Sequence, residues 1–90
     1  MGGYEWDPDK AAENLQKHEV DFADAAISLG DPQALTDADP DASDEQRYIC
    51  LGVDPEGRLL VTIYTYRDDN FRIISSRSAS PGERRRYEER

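Results

Sequence analysis

The sequence predicts a small α+β domain, with helices first and a sheet after them. Three observations carry this. Apolar residues recur at helical spacing in the first third of the chain, they alternate in strand fashion between residues 47 and 77, and Gly, Pro and Asp clusters separate the segments. The 90 residues suffice for a single domain, read here as spanning 1–90.

Tyr4-Glu5-Trp6 alternates aromatic and polar, the pattern of a short strand. Asp7-Pro8 then supplies an N-cap and a first helical residue. Ala11, Leu15 and His18 fall at i, i+4, i+7 and predict a helix over 8–18. A second helix starts at Val20-Asp21. Asp21 is its cap, Phe22, Ala25, Ala26 and Leu29 form its apolar stripe, and Gly30 ends it. Residues 31–45 carry five Asp, one Glu and two Pro and read as a solvated acidic loop, with Ala34 and Leu35 pinned to the core.

The second half reads as a meander of strands over Arg47–Val53, Arg58–Tyr66 and Phe71–Arg77. Turns at Asp54-Pro55-Glu56-Gly57 and Asp68-Asp69-Asn70 join them. Ser80-Pro81-Gly82-Glu83 is a capping box, and a helix over Pro81–Arg90 follows, with i,i+4 pairs Arg84–Glu88 and Arg85–Glu89. The expected architecture sets the two N-terminal helices on one face of an antiparallel meander, with the C-terminal helix at its edge. Parity gives one sheet face Ile49, Leu51, Val53, Leu59, Val61 and Ile63, to pack on Leu15, Phe22, Ala26 and Leu29. It gives the other face Tyr48, Thr62, Tyr64, Tyr66 and Arg72. Such an aromatic and Arg face is either a packed, half-exposed surface or one suited to base stacking and phosphate binding.

Composition narrows the function. Apolar residues make up 37% and charged residues 34%, and the net charge is −9. No apolar run approaches the ~18 residues of a membrane span. One cysteine, Cys50, excludes a disulfide scaffold, and one histidine, His18, excludes a histidine-built zinc centre. The opening MGGYEWDPDK lacks the apolar stretch of a secretory signal. A reduced, soluble, cytoplasmic domain is expected. Asp37, Asp39 and Asp41 imitate a calcium loop, but Ala42 stands where Gly is needed and Tyr48 where Glu is needed. Charge is segregated. Residues 1–45 hold 13 acidic and 2 basic residues, whereas 46–90 hold 7 acidic residues and 9 Arg. The second half can therefore present a local Arg surface on an anionic body.

Three ordered stretches carry a family resemblance. The first is Tyr4-Glu5-Trp6-Asp7-Pro8-Asp9-Lys10 with Asn14-Leu15 and Lys17-His18. The second is Phe22-Ala23-Asp24-Ala25-Ala26 followed by Asp31-Pro32. The third is Arg72-Ile73-Ile74-Ser75-Ser76-Arg77-Ser78-Ala79 followed by Glu83-Arg84 and Tyr87. With Gly57-Arg58-Leu59-Leu60-Val61 and Thr65-Tyr66-Arg67 between them, the chain resembles the BrnT toxins of bacterial and archaeal type II toxin–antitoxin pairs over residues 4–87. It departs at Glu19, where the family often has Gly, and at Ser76, where it often has Ala.

The resemblance implies a small RelE-like α+β fold and a metal-independent endoribonuclease that cuts RNA and arrests growth, without a cofactor. It also implies a cognate ribbon-helix-helix antitoxin (BrnA-like), with DNA contacted only through that partner, and no membrane association. Cleavage of this kind needs a proton acceptor, a proton donor and cations for the phosphorane. Arg67, Arg72 and Arg77 are the candidate phosphate or transition-state ligands, with Arg47 and Arg84 as further RNA contacts. Arg77 reads equally as a partner for Glu83. Tyr64 and Tyr66 are candidates for stacking bases. Tyr87 is a candidate for proton transfer or the anchor of its helix. His18, the one imidazole, is the acid–base candidate, although its place on the apolar stripe also suits a structural role. Glu45 is a weaker acid–base candidate and a possible ion partner of Arg47. Lys10 and Lys17 read as solvated helix residues.

Overall fold

Asp7 caps the first helix as the sequence predicts, its carboxylate accepting from the Asp9 amide, with Pro8 as the first helical residue. In the computed structural model, which describes residues 2–90, the chain runs β1 (Tyr4–Glu5), α1 (Pro8–His18), α2 (Phe22–Ser28), β2 (Leu35–Ala38), β3 (Tyr48–Val53), β4 (Leu59–Arg67), β5 (Asn70–Ser78) and α3 (Pro81–Glu88). The sheet order is β1-β5-β4-β3-β2. The meander β3-β4-β5 is antiparallel as expected, β2 joins it antiparallel, and β1 adds in parallel beside β5. Asp21 caps α2, and Ser80 and Glu83 form the capping box of α3. Gly57 takes φ 84° in its turn, and Asp68 and Asp69 take φ 52° and 77° in the two-residue turn between β4 and β5.

Four expectations are corrected. The acidic stretch 31–45 is not all loop, because Leu35–Ala38 forms the edge strand β2, in register with Leu51–Tyr48. Helix α3 stops at Glu88 and is held across the chain rather than along itself. Arg86 bridges to Asp37 of β2 at 2.5 Å, and the Tyr87 hydroxyl donates to Asp31 at 2.5 Å. Leu15 is 48% exposed, so the α1 stripe is narrower than its spacing suggests.

The fourth correction exchanges the two sheet faces. Helices α1 and α2 cover the face of Leu60 and Ile73, where Val20, Phe22, Ala25 and Ala26 complete the main core and Trp6 packs edge-on against Phe22. The face of Leu51, Leu59 and Val61 is covered only in part, by Tyr87 of α3 and by Leu35 and Ala79. Gly52 explains the choice. A Cβ there would lie 2.4 Å from the Ser28 carbonyl oxygen, so α2 sits directly on the face that carries Gly52.

Asn14 locks α1 to the sheet. Its buried carboxamide accepts from the Ser76 amide and donates to the Ser76 and Val20 carbonyls, standing in for a neighbouring strand along β5.

Candidate functional site

The half-covered face forms a groove. Its floor is Ile49, Val61, Ile63 and Ser75, His18 stands at one wall, and Arg77 and Glu83 stand at another. It encloses about 290 Å³. A second recess of about 170 Å³ continues from it along α1, sharing His18 and Ser75 and adding Lys10, Glu13 and Lys17.

A bulge in β5 decides which cations reach this face. Ile63 pairs with Ser75, yet the next residue, Tyr64, pairs with Ile73, so Ile74 is an extra residue. Arg72 and Arg77 are five apart and would alternate to opposite faces in a regular strand. With the bulge, Arg72 stands opposite Thr65 and Arg77 opposite Val61, both on the groove face. Arg67, in parity with Ile63 and Thr65, belongs to the same face. Arg47 precedes Tyr48 and so stands level with Thr65, whose hydroxyl donates to the Gln46 carbonyl at 2.6 Å. Four predicted arginines therefore share one face, the open one that carries Ile63. The expectation that Arg72 sits among the tyrosines is overturned by the same bulge.

The arginines differ in how they are held. Arg77 makes a two-pronged pair with Glu83, both contacts at 2.9 Å. That guanidinium, helped by the Ser80 amide, outweighs burial and pulls the Glu83 carboxyl down to about 2. Arg72 bonds Glu5 at 2.6 Å. Hydrogen bonds from Asn70 and then Arg72 hold the Glu5 carboxyl below the usual carboxylate range. Arg47 is half-buried, with its Nε lacking a hydrogen-bond partner. Arg67 and Arg84 are exposed and make no ion pair among the described residues.

His18 is exposed at the end of α1 rather than packed in its stripe, and it lines both recesses. Glu45 lies apart, in the acidic loop with Asp39 and Asp44, and does not pair with Arg47 among the described residues. Tyr87 is bound to Asp31 and packed against the Leu51, Leu59 and Val61 cluster, and does not line the groove. The hydrogen bond to Asp31, with burial adding to it, raises the Tyr87 hydroxyl pKa. Tyr64 and Tyr66 lie on the opposite face. Burial raises the Tyr64 pKa far above its ordinary value, with Tyr66 adding to the effect, so Tyr64 stays neutral.

Lys10 and Lys17 are exposed, as expected of solvated helix residues, but they also line the second recess, and Glu83 lines the groove, neither of which the sequence reading assigns. The i,i+7 spacing of the two lysines was the available signal. Asp24, Asp54 and Glu56 bring three carboxylates together, but the Arg58 guanidinium bonds Asp54 at 2.8 Å and reaches Asp24 at 3.4 Å and Glu56 at 3.5 Å, so a cation already fills that cluster. No described helix is long and apolar enough to cross a membrane.

No curated protein sequence matches the chain significantly. Among solved structures, the 1.1 Å crystal structure of the Brucella abortus ribonuclease toxin BrnT is similar with a TM-score of 0.65 and 26% identity, over 89% of this chain and 99% of that one. Residues 6–83 match the family model described as the ribonuclease toxin, BrnT, of the type II toxin–antitoxin system. Sequence, fold and match together place this chain in the BrnT family of ribonuclease toxins.

Proposed function

We propose that this chain is a metal-independent endoribonuclease that cuts RNA in the groove between His18 and Arg77. The observation that carries this reading is that Arg77 and His18 line one open apolar floor, with Arg72 on the same sheet face, on a protein whose net charge is −9. Cations concentrated there attract a phosphodiester that the rest of the surface repels.

The chemistry follows from the groups present. The 2′-oxygen loses its proton and attacks the adjacent phosphorus, and the 5′-oxygen leaves with a proton. His18 is the imidazole that lines the groove and is assigned that transfer. Arg77 presents its guanidinium to the phosphorane oxygens, where charge develops. Glu83, with its carboxyl at about 2, stays ionised at neutral pH and orients Arg77 rather than serving as a base. Arg72, Arg47 and Arg67 hold flanking phosphates along the same face. Tyr87 is the anchor of α3 in this reading, and Tyr64 and Tyr66 take no part in cleavage. The cognate antitoxin that a type II toxin implies is of ribbon-helix-helix type, and free toxin arrests growth.

Purified chain incubated with RNA in excess chelator tests the reading. Cleavage is expected, and His18→Ala or Arg77→Ala is expected to slow it by ~10²-fold or more. Intact RNA with the wild-type chain would leave only a catalytically weak antitoxin-binding module. Inducible expression of the chain alone is expected to stop colony growth.

A further inference from the structure

The face opposite the groove carries an aromatic surface that the cutting chemistry leaves unused. Tyr48, Tyr64 and Tyr66 lie in one block with ring centroids 5.4–5.7 Å apart. Phe71 meets Tyr64 at 5.3 Å and Tyr66 at 5.1 Å, and Tyr4 stacks on Phe71 at 5.3 Å. The five rings cross the sheet from β3 to β1. Tyr64 is buried beneath the others, while Tyr4 is 47% and Tyr66 52% exposed. Rigid, half-exposed tyrosines offer large contact area at low entropic cost.

The rim of this surface is acidic. The connection from Ala38 to Tyr48 and the turn from Arg67 to Asn70 lie at the same end of the sheet, because β2–β3 and β4–β5 both close there. The first carries Asp39, Asp41, Asp44 and Glu45, the second Asp68 and Asp69. The nearby cations, Arg47 and Arg67, belong by parity to the groove face. Charge selects the occupant. RNA phosphates are repelled by this rim, and a second copy would bring an identical acidic rim against it. A positively charged chain with apolar side chains is attracted, and Lys or Arg heads find both carboxylates and ring faces.

We propose that the tyrosine surface is the docking face for a basic, apolar segment of the cognate antitoxin. This rests on the family's having such a partner and is independent of the groove chemistry. A complex held here leaves the groove face unoccupied by that segment.

The test titrates the cognate antitoxin against three proteins: wild type, Tyr66→Ser, and the pair Asp68→Asn with Asp69→Asn. Tyr66 is half-exposed, and Asn is well suited to the positive φ of both turn positions, so the variants are expected to fold. Each variant is expected to bind antitoxin ~10-fold or more weakly, with the doubly neutralised turn also losing part of the salt dependence, while cleavage of an RNA oligonucleotide by free toxin is unchanged. Unchanged antitoxin binding overturns the proposal. If Tyr66→Ser instead raises KM for RNA, the surface stacks bases. If it dissolves a dimer seen by sedimentation, the surface joins two copies. Either result also overturns the proposal. Failure of the wild-type chain to cut RNA would sink the groove reading and leave the docking result standing.

Discussion

Glu19 ends α1 in the left-handed region, φ 58° and ψ 31°, a conformation that costs a residue with a Cβ about 1–2 kcal/mol. Gly takes this conformation without that cost. Glu19→Gly is expected to stabilise the fold by about 0.5–1 kcal/mol net of the added unfolded-state entropy, read as a higher urea midpoint. Asn14 is the opposite case, a polar residue that the core requires. Asn14→Ala strands the amide and carbonyl of Ser76 and is expected to cost about 2–4 kcal/mol in the same measurement. Neither role was legible in advance, because a left-handed cap and a carboxamide acting as a strand depend on where the sheet lies. Capping by Asp7, Asp21 and Ser80 was legible, since it depends on neighbours in sequence alone. Glu83 adds a pH dependence. Its carboxyl lies at about 2 when folded against an ordinary 4.5, so its pair with Arg77 contributes fully above pH 4.5 and is lost as pH falls toward 2. Melting temperature should drop through that window, and Arg77→Gln should flatten the drop.

At the scale of elements, strand periodicity gave the meander its boundaries but not its facing. Two apolar faces of similar quality left the choice to Gly52, whose missing side chain admits the end of α2. Strand β2 went unseen because Leu35–Ala38 is short and sits among Asp and Pro. The placement of the candidate arginines was half legible: their positions at the strand ends were, but the face of Arg72 was not, because a bulge leaves no mark in the alternation of β5. Helix α3 is held by Tyr87 at Asp31. Burial works against charge on that carboxylate, but hydrogen bonds from Tyr87 and from the Gln33 and Val53 amides outweigh it and hold its pKa below the ordinary value. Tyr87→Phe is expected to cost about 1 kcal/mol in thermal unfolding and to leave RNA cleavage intact, whereas a phenol that moved protons would abolish it.

Over the whole molecule, the sign of the charge changes from one surface to another. An anionic body limits nonspecific RNA binding, so the grip on substrate should come from the few arginines of the groove face. If about three phosphates are contacted, log(kcat/KM) should fall with log salt at a slope near −2, and Arg72→Ala should reduce that slope by ~0.7. A slope near zero would place the RNA elsewhere. The supernumerary Ile74 has a consequence for descent as well as for chemistry. Because one added residue turns Arg72 and Arg77 toward a common side, the distance between them works like a reading frame. Any relative that gains or loses a single residue in this interval should show a compensating change nearby, or should already have given up one of the two guanidinium groups.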